Sequence, residues 1–170
     1  MSTVAQVPPP AGSFLDRVGQ GDGVYTDCFE AAIAGDVSFA DYITAFYTTP
    51  LFRCERLILR FFAGAPSTDA EARRVGTGEA DRFALWHMVE RGENQLLMRA
   101  GRTSSWFMLV PGSTAQGIGT KLMFGSVVMP VIDRKTGQAR LGLGFESLLW
   151  PHIFYSRQLL SAARRRLLRA

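Results

Sequence analysis

The chain has 170 residues, 47% hydrophobic and 20% charged, a size and composition that exclude intrinsic disorder and suit one domain with a packed core. A net charge of +4, from 17 arginines and the two lysines Lys121 and Lys135 against 15 acids, is too mild to single out a nucleic-acid partner. Cys28 and Cys54 make no disulfide framework, and no Cys/His cluster has zinc spacing, so free thiols are expected and no metal or other cofactor.

Residues 1–20 hold Pro8, Pro9 and Pro10 followed by scattered glycines; they read as a flexible N-terminal arm, leaving 21–170 as a single folded domain. The start has no basic n-region or long apolar h-region. No later run approaches the roughly 18 apolar residues of a membrane span, and a soluble cytoplasmic protein is expected. From Val24 to Ile33 the pattern alternates, with Tyr25, Phe29 and Ile33 offset against Thr26 and Glu30, which predicts a first strand ended by Gly35. Ser38 with Asp41 is a capping arrangement for a short helix whose apolar stripe is Phe39, Tyr42, Ile43, Phe46 and Tyr47. Thr49 caps and Pro50 opens a second helix, expected to carry Leu51, Cys54, Leu57, Ile58 and Phe61 inward and to leave Arg53, Arg56 and Arg60 on its solvated face. Thr68 and Glu71 suggest a capping box for a brief helix over 69–75, stopped by Gly76 and Gly78.

From Arg82 the period becomes two, with Phe83, Leu85, His87 and Val89 on one face and Ala84, Trp86, Met88 and Glu90 on the other. A turn at Gly92-Glu93-Asn94 leads into strands over 95–100 and 104–110, with a bulge at Gly101. Pro111-Gly112 and Gly117-Ile118-Gly119 read as loop or pocket rim, followed by a strand over 121–131 and a surface turn over 133–138. The strongest periodic signal is the last. Phe145, Leu148, Leu149, His152, Ile153, Ser156, Leu159, Leu160, Ala163 and Leu167 follow a helical repeat, with Pro151 either kinking the helix or marking its first turn. The predicted fold is α+β: a curved antiparallel sheet wrapped around a long C-terminal helix, with a short helix pair after the first strand.

That element order is similar to the START/Bet v 1-like helix-grip superfamily (SRPBCC). Asp81-Arg82-Phe83-Ala84-Leu85-Trp86, Gln95-Leu96-Leu97-Met98-Arg99, the run from Arg102 to Trp106, Thr120-Lys121-Leu122 and Trp150-Pro151-His152 resemble its uncharacterised domains known as DUF2867, over roughly residues 22–168. The resemblance implies a deep cavity between sheet and terminal helix, used by different members to carry hydrophobic ligands, for polyketide cyclisation and related chemistry, or for regulation.

The leading expectation is a domain that encloses a small hydrophobic molecule lined by Trp86, His87, Trp106, Phe124, Leu149, His152 and Ile153. An alternative is a cyclase, dehydratase or hydrolase-like enzyme with His87, His152 and Arg102 as acid, base and anchor, since imidazole titrates near neutrality. A third is an interaction module that meets a second copy through an outer apolar strand face, or an anionic membrane through Arg164, Arg165, Arg166 and Arg169.

Overall fold

Alternation over 24–33 becomes β2 (Tyr25–Ala34), the strand that ties the two ends of the chain together. Upstream of it lie β1 (Ala5–Gln6) and α1 (Phe14–Val18); downstream come α2 (Phe39–Tyr47), α3 (Pro50–Phe62) and α4 (Asp69–Thr77). The rest of the sheet is β3 (Arg82–Phe83), β4 (Trp86–Arg91), β5 (Gln95–Ala100), β6 (Thr103–Thr114) and β7 (Gly117–Val128). A separate hairpin, β8 (Val131–Ile132) with β9 (Ala139–Arg140), precedes α5 (Leu143–Leu167). These elements come from a computed structural model that describes residues 4–114, 117–132, 136–141 and 143–169, without the side chains of 113, 114, 140 and 143–148. The expectations for Phe145, Leu148 and residues 133–135 lie outside the described side chains.

The seven strands form one antiparallel sheet in the order β1-β2-β7-β6-β5-β4-β3. Successive side chains alternate between two faces. The inner face, toward α2 and α5, carries Phe29, Ile33, Phe107, Leu122 and Phe124, which pack with Tyr42, Phe46 and Tyr47 of α2 and with Leu159, Leu160 and Ala163 of α5. The outer face carries Cys28, Leu97, Trp106, Met123 and Val127, covered by Leu15 of α1.

Several expectations change. The supposed arm is part of the fold. Ala5 and Gln6 pair with Glu30 and Phe29, Ser13 caps α1 by accepting from the Asp16 N–H at 3.1 Å, and Leu15 is fully buried. Three apolar side chains, Phe14, Leu15 and Val18, on a five-residue helix make too short a pattern for periodicity to register. The run from Arg82 is two strands, because Phe83 pairs with Trp86 across a tight turn at Ala84-Leu85, with Ala84 at φ 51°. That turn resets the phase: Phe83, Trp86 and Met88 pack on the inner cluster while Leu85, His87 and Val89 are exposed. The expected bulge at Gly101 is instead the tight turn between β5 and β6, where Ala100 pairs with Thr103.

Residues 111–114 and 117–119, read as loop, are paired strand: Gly112 faces Gly119 and Ser113 faces Ile118. Pro111 is tolerated because Leu109 N–H already reaches back to Asn94 O, and two residues further the same edge has no neighbour to receive an N–H. In α5 the helix begins at Leu143, so Pro151 lies inside it.

The largest reversal is the orientation of α3. Phe52, Glu55, Arg56 and Leu59 turn toward the protein, whereas Leu57, Ile58, Phe61 and Phe62 are exposed, Phe62 at 89%. Polar contacts set this rotation. Arg56 donates to Ser67 Oγ at 3.0 Å, Ser67 O at 2.6 Å and Asp69 Oδ1 at 2.6 Å, and its guanidinium lies over the Phe83 ring. Burial alone would raise the Asp69 carboxyl, but Arg56 and Arg53 together hold it below the usual carboxylate range.

Candidate functional site

A cavity of about 340 Å³ lies between the inner face of the sheet, α3 and α5. Its walls are aromatic and aliphatic: Phe46, Tyr47, Phe52, Trp86, Phe124 and Leu159. Polar side chains stand among them, Thr103, Ser105 and Ser126 from the sheet and Glu55, His152, Tyr155 and Ser156 from the helices, and some of these belong to two bonded groups.

The first group centres on Asp27, whose side chain is fully buried. The β2 alternation that sends Phe29 and Ile33 inward sends Asp27 and Tyr25 the same way. Asp27 Oδ1 accepts the Ser126 backbone N–H at 2.9 Å and Oδ2 accepts the Tyr25 hydroxyl at 3.0 Å. From α5, His152 brings Nε2 to 3.2 Å from Oδ2, and its ring meets Tyr25 edge-on at 5.9 Å. At that distance the pair is an ion pair only when the imidazole carries its second proton. Burial, then the adjacent Asp27 charge, pushes the Tyr25 phenol far up, so it serves as a donor and not as a phenolate. Cys28, on the outer face, is pushed up to about 12 by burial and by Asp27 and Glu30, which makes its thiol inert.

The second group joins α3 to α5. Tyr155 donates its hydroxyl to Glu55 Oε2 in a short hydrogen bond. Burial raises the Glu55 carboxyl above its ordinary range, and the Tyr155 bond opposes this only in part. Tyr47 lines the same space; its hydroxyl is buried and has no hydrogen-bond partner among the described residues. Removing a buried, unsatisfied hydroxyl while keeping the ring is expected to leave stability unchanged or raise it by about 1 kcal/mol. Urea unfolding of Tyr47→Phe checks this; a loss above about 1 kcal/mol would show that the hydroxyl is bonded in solution.

Of the residues singled out in the sequence, Trp86, Phe124 and His152 line the cavity. Ile153 is half-buried against the inner core and Leu149 is half-exposed on α5. Trp106 does not reach the cavity: strand alternation puts it on the outer face, where Nε1 donates to Gln95 Oε1 at 3.1 Å. His87 is exposed on the outer face of β4, opposite Arg82 and Arg99. Arg102, in the β5–β6 turn, is exposed and donates to Leu141 O at 2.9 Å. The expected grouping of His87, His152 and Arg102 is therefore not assembled. Arg164 is likewise not a free basic end, since its Nε donates to Ala32 O at 2.6 Å.

Asp27, Glu55 and Tyr155 have no site role in the sequence pattern, and Tyr47 figures there only in the apolar stripe of α2. Asp27 carried a usable signal, a charge in the inward phase of an apolar strand; Glu55 had none until the rotation of α3 was known. Among the described residues there is no cluster of three metal-ligating side chains, and no helix is long and apolar enough to cross a membrane. No protein-family model, curated protein or solved structure matches the chain. The architecture is α+β, with a seven-stranded antiparallel sheet and a long C-terminal helix across its inner face.

Proposed function

We propose that this chain is a helix-grip domain of the START/Bet v 1-like kind, related to the DUF2867 domains, that binds a small, largely apolar molecule. The observation that carries this is the cavity between sheet and α5, whose aromatic walls are interleaved with converging polar side chains. Its volume is at the small end for ligand pockets, which favours a mono- or bicyclic molecule over a two-chain lipid. Binding should be saturable with small fluorescent aromatic probes, and it should be abolished by Ser126→Trp, which fills the cavity beside Phe124. Absence of any co-purified ligand by mass spectrometry, together with no saturable probe binding, would overturn this function.

A second reading, contact with an anionic bilayer, is favoured by the outward face of α3. Leu57, Ile58, Phe61 and Phe62 are joined in exposure by Trp150, at 81%, and Phe154 of α5. Phe154 shares a groove of about 740 Å³ with Pro50, Leu51, Arg165, Arg166 and Arg169. Arg60 ends α3, and neither helix presents an exposed carboxylate among its described residues. Apolar side chains flanked by cations suit the headgroup region of negatively charged lipid. The protein is expected to sediment with phosphatidylserine vesicles at low salt, less at high salt, and not with phosphatidylcholine alone. Phe61→Ser with Phe62→Ser should remove most of that binding. A protein that ignores both vesicles, or that pairs with itself through this face in sedimentation equilibrium, would refute the membrane contact.

A further inference from the structure

Resting on the cavity reading above, we infer that the pocket selects an organic cation: a protonated amine carried on a mono- or bicyclic apolar body. Three observations combine. The walls include the rings of Phe46, Tyr47, Phe52, Trp86 and Phe124, whose negative faces attract a cation once water is excluded. No lysine or arginine is among the described residues that line the space. Glu55 is a half-buried carboxyl whose sole hydrogen-bond partner among the described residues is the neutral Tyr155 hydroxyl, and none of the described cations pairs with it.

Charge decides among ligand classes. A carboxylate ligand would meet Glu55 and, behind His152 and Ser126, Asp27, with only one imidazole to offset them, and that imidazole already faces Asp27. A neutral alcohol would satisfy the Tyr47 hydroxyl yet bring no charge to the Glu55 carboxyl. An ammonium group supplies that charge, donates to Glu55 and to the open lone pairs of Tyr47, and rests against the rings. Burial disfavours the charged form of the Glu55 carboxyl, and an ammonium placed against it restores that form, so Glu55 suits a cation anchor.

The test uses three probes of one shape, naphthylmethylamine, naphthylmethanol and naphthoate, titrated calorimetrically into the full chain at neutral pH. The amine is expected to bind at least about tenfold more tightly than the alcohol, from one charge-assisted hydrogen bond, and naphthoate most weakly. Glu55→Gln should erase the amine's advantage and leave alcohol binding near that of the parent. If the alcohol equals the amine, or naphthoate binds best, cation selection is overturned while the cavity function stands. If none of the three binds, the cavity function itself fails. Should Glu55→Gln not fold by circular dichroism, the amine-to-alcohol ratio of the parent decides alone.

Discussion

Asp27→Ala is expected to cost about 3–5 kcal/mol of folding stability, measured by urea unfolding at neutral pH. The carboxylate accepts from the Ser126 N–H and the Tyr25 hydroxyl and faces His152. Its removal leaves the buried Ser126 backbone N–H without its acceptor, takes one hydrogen bond from the half-buried Tyr25 hydroxyl, and removes the negative charge beside the imidazole. An orphaned buried donor costs on the order of 1–3 kcal/mol, and the two lost charge-assisted contacts supply the rest. Asp27→Asn separates shape from charge. The amide oxygen still accepts from Ser126, so this variant should lose only about 1–2 kcal/mol. A loss under about 1 kcal/mol in Asp27→Ala would mean that the Tyr25–Asp27–His152 group is solvated and does not hold β2 to α5.

The elements that could be read from the sequence are those whose signal is local. Ser38, Thr49 and Thr68 cap α2, α3 and α4 as their spacing suggests, with Thr68 and Glu71 completing a capping box. The terminal helix announced itself through a long repeat, and Ser156, Leu159, Leu160 and Ala163 are buried as that repeat requires. What could not be read depends on partners distant in the chain. The rotation of α3 is decided by Asp69 and Tyr155, 13 and 100 residues away from Arg56 and Glu55, so its apolar stripe pointed to the wrong face. The face of β4 depends on a two-residue turn containing no glycine or asparagine, residues that usually mark such turns. The histidines drew attention as residue types, yet only His152 has a buried charged neighbour, supplied by a strand 125 positions earlier (152 − 27). Cavity chemistry assembled from β2, α2, α3 and α5 has no short motif to find.

Leu15→Ala should destabilise the protein by about 2–4 kcal/mol even though it lies in a segment with the composition of a loose tail. Leu15 sits above Gly125, in the row where Cys28, Gly125 and Trp106 face one another across β2, β7 and β6. A Cβ on Gly125 would come within 2.5 Å of Leu15 Cδ2 and 2.6 Å of Asp27 O, so the glycine is what makes the seat for the leucine. The helix is also held at its ends. Gln95 Oε1 accepts from both the Phe14 N–H at 3.0 Å and Trp106 Nε1, and Arg17 forms an exposed ion pair with Glu90. The surface pair adds little, and the buried leucine carries the effect. Gly125→Ala should cost about 1–3 kcal/mol through overpacking. In the double variant the two costs should sum to more than the measured loss, because the first substitution removes one of the clashes that the second creates. Part of the Gly125→Ala cost should persist, since the Asp27 carbonyl does not move with Leu15. Full additivity would mean that Leu15 and Gly125 are not in contact, and a Leu15→Ala loss below about 1 kcal/mol would return α1 to the status of a tail.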